Sequence, residues 1–377
     1  MMKRTTKTKS GSPTPGRRIE ALRKKIDDID SRILKMINRR LKLAEEIGRV
    51  KSRAGNQVID SAREQLLLRH LADINPGPIT NSALKHIYTE IIAAAREIQK
   101  PQRVAYLGPE ATFTHIAAMN HFGRAGEFSS RASIPDVFNA VEKRSFNYGV
   151  VPVENSIEGA VNYTLDLFFE SELKICAEIY YAISHDLLSK TASLKKIKKI
   201  YSHPHAFAQC RQWLRQHLPD ADLVECSSTA EAAQRAAREA GTAAISSREA
   251  AGFYKLKVVA SGIEDLSRNI TRFLVIGREA VARTARDKTS IMFVTAHVPG
   301  ALYRVLQPLA EADINMLKLE SRPTKHENWH YFFFVDVEGH IKDPAVSDTI
   351  AKMKNLCFYL KILGSYPRAD EDSPASG

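Results

Sequence analysis

Apolar residues recur every seven positions along the first long segment of the chain. Ile19, Ile26, Ile33 and Ile47 set the period, and Leu22, Ile29 and Met36 fill the alternate positions. The pattern predicts a heptad stripe on one helix of about 30 residues, much longer than an average helix. Gly55-Asn56 breaks it. Asp60, with Glu64 four residues on, opens a second helix through Leu71, and Asn75-Pro76-Gly77-Pro78 ends that one. A third helix is predicted from about Asn81 to Gln99, with Leu84, Tyr88, Ile91, Ile92 and Ala95 on one side. Pro101 closes it.

From Arg103 the pattern changes. Val104-Ala105-Tyr106-Leu107 is a short apolar run followed by Gly108-Pro109. Further short runs (Tyr148–Val153, Ile175–Ile179, Ile197–Ser202, Ala243–Ser246, Leu256–Ala260, Arg272–Ile276) alternate with helical patterns. This is the texture of an α/β domain with mostly parallel strands. A last unit begins near Thr289. It reads strand (Ser290–Val298), helix (Gly300–Ala312), strand (Asn315–Arg322), strand (His330–Glu338), helix (Pro344–Leu356), strand (Tyr359–Tyr366). That βαββαβ order predicts a ferredoxin-like unit.

The length, 377 residues, fits two or three domains, and 44% apolar with 26% charged residues is the composition of globular cores. No apolar run approaches the ~18 residues of a membrane span, and no apolar stretch follows the N-terminal charges as in a secretory signal. Cys176, Cys210, Cys226 and Cys357 lie far apart without C-x-x-C spacing. This argues against a disulfide framework or a zinc module and fits a reducing cytoplasm.

The formal charge of +12 invites a nucleic-acid partner until its distribution is read. Residues 1–18 hold six basic and no acidic side chains, residues 19–100 hold 16 and 11, and residues 101–377 hold 33 and 32. The excess lies in the first quarter of the chain. Residues 1–18 are Lys, Thr, Ser, Gly and Pro with almost nothing apolar, which predicts a disordered tail. A transit peptide is the competing reading, but the stretch is short and not amphipathic. Residues 367–377, acidic from Asp370 on, predict a second tail.

Arg40 occupies the apolar phase of the first helix, and Lys51 follows it by eleven residues, roughly 16 Å along the axis on the same side. Cations on a core-facing stripe are costly unless an anion meets them. Salt bridges to Glu45, Glu46 or Asp60 explain either one alone. Both together, with Gln99 in the stripe phase of the third helix, favour an anion site within a bundle. Ala21-Leu22-Arg23-Lys24-Lys25-Ile26-Asp27, Arg39-Arg40, Ile47-Gly48-Arg49-Val50-Lys51, Asp60-Ser61-Ala62-Arg63-Glu64 and Ile91-Ile92 with Gln99 resemble the all-helical chorismate mutases over residues 19–100. The resemblance implies an intertwined dimer whose pocket borrows Arg23 from the second chain. It gives Arg40 and Arg23 the substrate carboxylates, Lys51 and Gln99 the ether oxygen, Glu64 and Asp60 the ring hydroxyl, and Arg63 a supporting role. Ala95 departs from the serine more common there.

Four further segments place small polar residues at strand ends, where open α/β sheets bind ligands. They are Gly108-Pro109-Glu110-Ala111-Thr112-Phe113; Val151-Pro152-Val153-Glu154-Asn155-Ser156-Ile157-Glu158-Gly159; Ser202-His203-Pro204-His205 with Gln209-Cys210; and Asn269-Ile270-Thr271-Arg272-Phe273. Each alone reads as ordinary turn and cap chemistry, and His203, His205 and Cys210 form no metal pattern. Together they resemble the prephenate dehydratases over residues 103–280. That resemblance implies two α/β lobes like those of periplasmic binding proteins, with a site between them. It makes Thr271 the donor to the leaving hydroxyl, in relay with Glu154, and gives Arg272, within the Thr-Arg-Phe triplet that Phe273 completes, a substrate carboxylate. Thr112, Asn155, Ser156, Ser202 and Gln209 position the rest. His205 departs from the family's glutamine and receives no role.

Pro299-Gly300-Ala301-Leu302 and Leu319-Glu320-Ser321-Arg322-Pro323 resemble the regulatory ACT domain of the same enzymes over residues 288–366. Gly300 permits close backbone approach at a helix N-terminus, where a carboxylate is favoured. The alternative is a plain glycine cap with Arg322 paired to Glu320. The resemblance implies phenylalanine binding by Gly300, Ala301, Leu302, Glu320, Ser321, Arg322 and Pro323. As a whole the chain resembles the bifunctional chorismate mutase/prephenate dehydratases. The expectation is an enzyme of phenylalanine biosynthesis acting on chorismate and prephenate and inhibited by L-phenylalanine. It would be a cytoplasmic homodimer or higher homo-oligomer, with no cofactor, metal, nucleic acid or membrane. The rival, a ligand-responsive DNA-binding regulator, requires short helices joined by a tight turn, and the first helix here is far too long. A scaffold with inactive heads is disfavoured because the functional positions are occupied.

Overall fold

The computed structural model describes residues 15–53, 61–99, 101–266, 268–284, 286–323 and 331–369. Asp60, the break at Gly55-Asn56 and the tails at 1–14 and 370–377 lie outside them. The chain forms two compact units, one of α1 with the last residues of α3, the other of everything else.

In the first unit, α1 (Pro15–Arg53) takes in the last four residues of the segment expected to be tail, with Pro at a position where its missing N–H costs nothing. The face of α1 that is least exposed runs through Ile37, Arg40, Ala44, Gly48 and Lys51. The heptad residues are more open: Ile19, Ile26, Ile33 and Ile47 are each about half exposed. The cations thus sit on the inward side of α1, as expected, and Ile19, Ile26 and Ile33 share their phase but lie exposed along the N-terminal half of the helix. The end of α3 (Asn81–Gln99) packs at Gly48, where an added Cβ would stand 2.5 Å from Gln99 Cγ.

The second unit opens with α2 (Ser61–Asp73) and the earlier part of α3. A mixed sheet follows, in the order β2 (Glu127–Arg131), β1 (Arg103–Leu107), β3 (Tyr148–Asn155), β11 (Ile270–Gly277), β5 (Lys174–Ala182), with β4 (Gly159–Ala160) on β3. Strands β1, β2 and β3 are parallel, whereas β11 runs antiparallel to both β3 and β5. Helix α4 (Phe113–Phe122) covers one face, and α5 (Ile134–Glu142) and α6 (Asn162–Glu170) cover the other. A second mixed sheet has the order β10 (Lys257–Ala260), β6 (Asp186–Ser189), β9 (Thr242–Ser246), β7 (Lys199–Ser202), β8 (Asp222–Glu225). It carries α7 (Pro204–Gln209), α8 (Arg211–His217), α9 (Thr229–Ala236) and α10 (Arg248–Tyr254). The chain crosses from the first lobe to the second after β5 and returns before β11. This return is why the sheets are mixed rather than mostly parallel.

The C-terminal module is β12 (Asp287–Val294), α11 (Ala301–Glu311), β13 (Met316–Pro323), β14 (Tyr331–Glu338), α12 (Pro344–Lys354) and β15 (Tyr359–Pro367). Its antiparallel order, β13-β14-β12-β15, is the ferredoxin-like arrangement the βαββαβ pattern predicts. One continuous core joins it to the first lobe: Met292, Phe334, Leu363 and Tyr366 pack with Val153, Leu165, Ile175 and Leu274. Gly364 admits the closest approach, because a Cβ there would lie 2.3 Å from the Ile175 carbonyl oxygen.

Candidate functional site

The end of the β3–β11 pair gathers several of the polar residues of the quoted segments. Asn155 lies directly opposite Thr271. Its amide nitrogen donates to Thr271 Oγ1 (2.9 Å) and to Asn269 Oδ1 (2.7 Å). Asn269 Nδ2 donates in turn to Gln209 Oε1 (3.0 Å), and His185 Nε2 lies 2.9 Å from the same oxygen. Gln209 belongs to α7 of the second lobe, so this amide chain ties the two lobes together at the crossing strands. The loop after β3 is fixed by Asn155 Oδ1, which accepts the N–H groups of Ile157 (2.9 Å) and Glu158 (3.1 Å). Ser156 Oγ accepts the Ile270 N–H at 2.9 Å. Glu158 reaches back to Gln209 (3.4 Å) and pairs with His205 Nδ1 (2.6 Å).

This arrangement leaves Thr271 chemically poised. Its oxygen accepts from Asn155, and a hydroxyl carries a donor beside its lone pairs. Thr271 makes no other side-chain hydrogen bond among the described residues and is 8% exposed. Burial lowers the pKa of His185, and its Nδ1 is buried without a partner. The Phe113 ring stands 5.8 Å from the His185 ring, which brings the 108–113 loop to the same place. That loop is set by Ala111, which adopts a left-handed φ of 64° while its N–H donates to His115 Nδ1 at 3.1 Å. Thr112 caps α4, accepting from the His115 N–H. Ser202 is fully buried and donates to the Ile245 carbonyl at 2.9 Å, so its hydroxyl serves the second sheet. Phe273 packs in the core on the α4 side. His185 and Asn269 carry no assignment in the sequence reading. Asn269 stands in a quoted segment, but a histidine in the connection between β5 and β6 gives no local signal.

Glu154 and Arg272 are placed elsewhere. They are paired across β3 and β11, and successive side chains of a strand face opposite sides. They therefore share the face away from Thr271 and Asn155. Arg272 contacts Glu178 (3.0 Å), Asp336 (2.7 Å) and Tyr366 Oη (3.2 Å) rather than standing beside Thr271. Lys288 completes the cluster at 2.6 Å from Glu178 and 3.5 Å from Asp336. Two cations and two carboxylates, all buried, balance one another there. Burial disfavours the Arg272 charge, but Asp336, Tyr366 and Glu178 outweigh it and hold its pKa high. Burial likewise opposes ionisation of Asp336, and Arg272 and Lys288 outweigh it and hold its pKa below the usual range. Glu154 pairs with Lys318 of β13.

Three family models match successive parts of the chain: chorismate mutase type II over residues 22–100, prephenate dehydratase over 104–281 and the ACT domain over 289–355. A bifunctional chorismate mutase/prephenate dehydratase of Aquifex aeolicus is 44% identical over 93% of this chain and 98% of its own length. The chain belongs to the bifunctional chorismate mutase/prephenate dehydratase family. A prephenate dehydratase of Arthrobacter aurescens, solved in complex with L-Phe, is 35% identical with a TM-score of 0.66, over 72% of this chain and 92% of that one. GqqA, described as a novel type of quorum quenching acylase, superposes with a TM-score of 0.65 at 27% identity, over 71% of this chain and 98% of its own. The fold alone therefore does not select the reaction; the residues at the site do.

In the mutase part, Arg40 and Lys51 lie half-buried on the side of α1 that meets Gln99, while Arg23 is exposed. Arg63 and Glu64 stand in the first turn of α2, where the helix dipole favours the glutamate. In the ACT domain, Gly300 takes a left-handed φ of 74° at the start of α11, followed by Ala301 and Leu302. Strand β13 turns Lys318, Glu320 and Arg322 alternately to one side and leaves Leu319 and Ser321 exposed; Pro323 is its last residue. Lys318 lies 3.6 Å from Glu320. Arg322 Nη2 lies 3.9 Å from Asp166 of α6, on the dehydratase domain. Among the described residues no helix is long and apolar enough to cross a membrane.

Proposed function

We propose that residues 19–100 convert chorismate to prephenate and residues 103–280 convert prephenate to phenylpyruvate, with residues 288–366 as the regulatory domain. What carries the reading is the array of Thr271, Asn155, Asn269, Gln209 and His185 in a chain of this family. The first reaction is one concerted rearrangement of a dianion. It needs a compact substrate conformer and stabilisation of charge growing on the breaking ether oxygen. Arg40, with Arg23 of a second copy, holds the carboxylates and Arg63 supports them. Lys51 and Gln99 meet the ether oxygen, and Glu64 and Asp60 take the ring hydroxyl. A rate gain near 10⁶ requires only about 8 kcal/mol, within reach of such preorganised charge. The half-exposed isoleucine stripe of α1 supports a second copy as its cover, giving a homodimer with interlocked helices.

In the second reaction the bond to the ring carboxylate breaks, carbon dioxide leaves and the bonding pair enters the ring. The C–O pair departs with the hydroxyl, which takes a proton and leaves as water. Hydroxide leaves poorly without that proton. Thr271 donates it, directed by the Asn155 N–H on its oxygen. Ser156, Thr112 and Gln209 hold the loops around the substrate, and Ser202 ties the end of β7 to β9 beneath them. Glu154 and Arg272 act from the opposite face of the sheet. L-phenylalanine binds through Gly300, Ala301, Leu302 and Glu320, Ser321, Arg322, Pro323, a reading supported by the L-Phe complex of the Arthrobacter aurescens dehydratase. The enzyme works in the cytoplasm.

A coupled assay tests this reading. Purified full-length chain given chorismate should yield phenylpyruvate, at a rate that L-phenylalanine lowers. Accumulation of prephenate alone would refute the dehydratase reading, and unchanged chorismate would refute the mutase reading.

A further inference from the structure

Strands β3 and β11 carry the candidate dehydratase site on one face and charge on the other. Asn155 pairs with Thr271 and Glu154 with Arg272. Each site residue is therefore one peptide unit from a charged residue aimed at the ACT sheet. There the charges meet their opposites: Lys318 contacts Glu154, and Asp336 contacts Arg272. Lys318, Glu320, Arg272 and Asp336 line one small cavity of about 30 Å³ between the two sheets.

The two contacts differ in kind. Arg272 and Asp336 are buried, so removing either leaves an uncompensated charge. Lys318 is 25% exposed and Glu154 37%, so their pair can be removed without that penalty. The pair also sits where the sheet is least able to fix itself. The β3–β11 register shifts between Arg272 and Phe273, and Glu154 and Asn155 have only the two-residue β4 on their other side. A bulge at a strand end re-aims the side chains next to it. An outside tether at Glu154 then adds to the hydrogen bonds that aim Asn155.

We propose that Lys318 of the ACT domain is a positioning residue for the dehydration site, acting through Glu154 to hold Asn155 against Thr271. The proposal rests on the reading that Thr271 and Asn155 belong to that site. Strand β13 also bears Glu320, a second carboxylate for the same ammonium. A ligand that draws Lys318 towards Glu320 loosens Glu154, provided it binds the two arrangements unequally. The site and the regulatory strand are then joined by one side chain.

The test uses full-length K318M, K318R, E154Q and the double variant K318M/E154Q, assayed for both activities. K318M should lower the dehydratase kcat about fivefold to tenfold, the range of coupling carried by a remote residue, with KM within about twofold. Mutase kcat in the same preparations should hold within about twofold. K318R should restore most of the loss, and the double variant should be no worse than either single one, because the two residues act as a unit. Wild-type dehydratase kcat in K318M, failure of K318R to rescue, or multiplicative losses in the double variant would overturn the proposal. Equal loss of both activities would also overturn it, since Lys318 would then serve stability. Full dehydratase activity in T271A would instead refute the site reading beneath it, a different outcome in a different variant.

Discussion

Acid should loosen the 108–113 loop through one buried histidine. His115 is 4% exposed, stacks on Tyr106 with ring centroids 4.4 Å apart, and accepts the Ala111 N–H on Nδ1. That bond requires the neutral ring with its proton on Nε2. Burial pushes the pKa from 6.5 down to about 4. The folded ring thus refuses a proton that the unfolded chain accepts. Stability is complete above pH 6.5, falls as the pH drops from there, and levels off below about pH 4. At 1.36 kcal/mol per unit, the full loss is about 3 kcal/mol, and roughly 2.5 kcal/mol of it is gone at pH 4.5. Protein carrying ¹³C-labelled histidine, with H115Q to assign the signal, reads this directly by NMR. The His115 resonance should stay fixed through pH 6.5 and move only near pH 4. Denaturant curves at pH 7 and pH 4.5 should show the wild type losing about 2.5 kcal/mol more than H115Q over that span. A His115 signal that titrates near 6.5 would refute the reasoning, because the ring would then be neither buried nor bound to Ala111.

Thr271→Ala should cut the dehydratase kcat by about 10²-fold or more, the scale of a positioned proton donor, and leave chorismate consumption intact. Arg40→Ala should do the opposite, which separate mutase and dehydratase assays resolve. Gly48→Ala sets a Cβ 2.5 Å from Gln99 Cγ; mutase kcat should fall about tenfold by displacement of a catalytic group, with dehydratase kcat unchanged. Arg272→Met leaves Glu178 and Asp336 with one cation fewer in a buried cluster; urea unfolding should show a loss of about 3–5 kcal/mol. A midpoint shift equivalent to less than about 1 kcal/mol would mean the cluster is hydrated.

The sequence fixes its elements wherever a local period is long or strong. The third helix runs over the predicted residues, and every element of the C-terminal βαββαβ unit forms, most of them within a few residues of expectation. It misses β2, β4, β6 and β8, which are short; β2 and β8 are polar edge strands without the apolar run of an interior strand. The site residues Thr271, Asn155 and Gln209 are legible from composition at strand ends. His185 is not, because its neighbours in space come from Gln209 and Phe113, far away in sequence.

What the tertiary structure alone decided is which way residues face. The heptad period of α1 says that Ile26 and Ile33 share a stripe, and Arg40 belongs to its arithmetic. Only the packing of Gln99 at Gly48 shows which stretch of that stripe is covered within the chain, the one that carries the cations. Adjacent residues Thr271 and Arg272 read as one triplet with one substrate. The β3–β11 register sends them to opposite faces, one to the amide array and the other to the ACT domain. The reason is physical: periodicity is set by bonds between near neighbours, whereas the assignment of a face to a core, a partner or a site depends on register and on contacts between segments far apart in sequence.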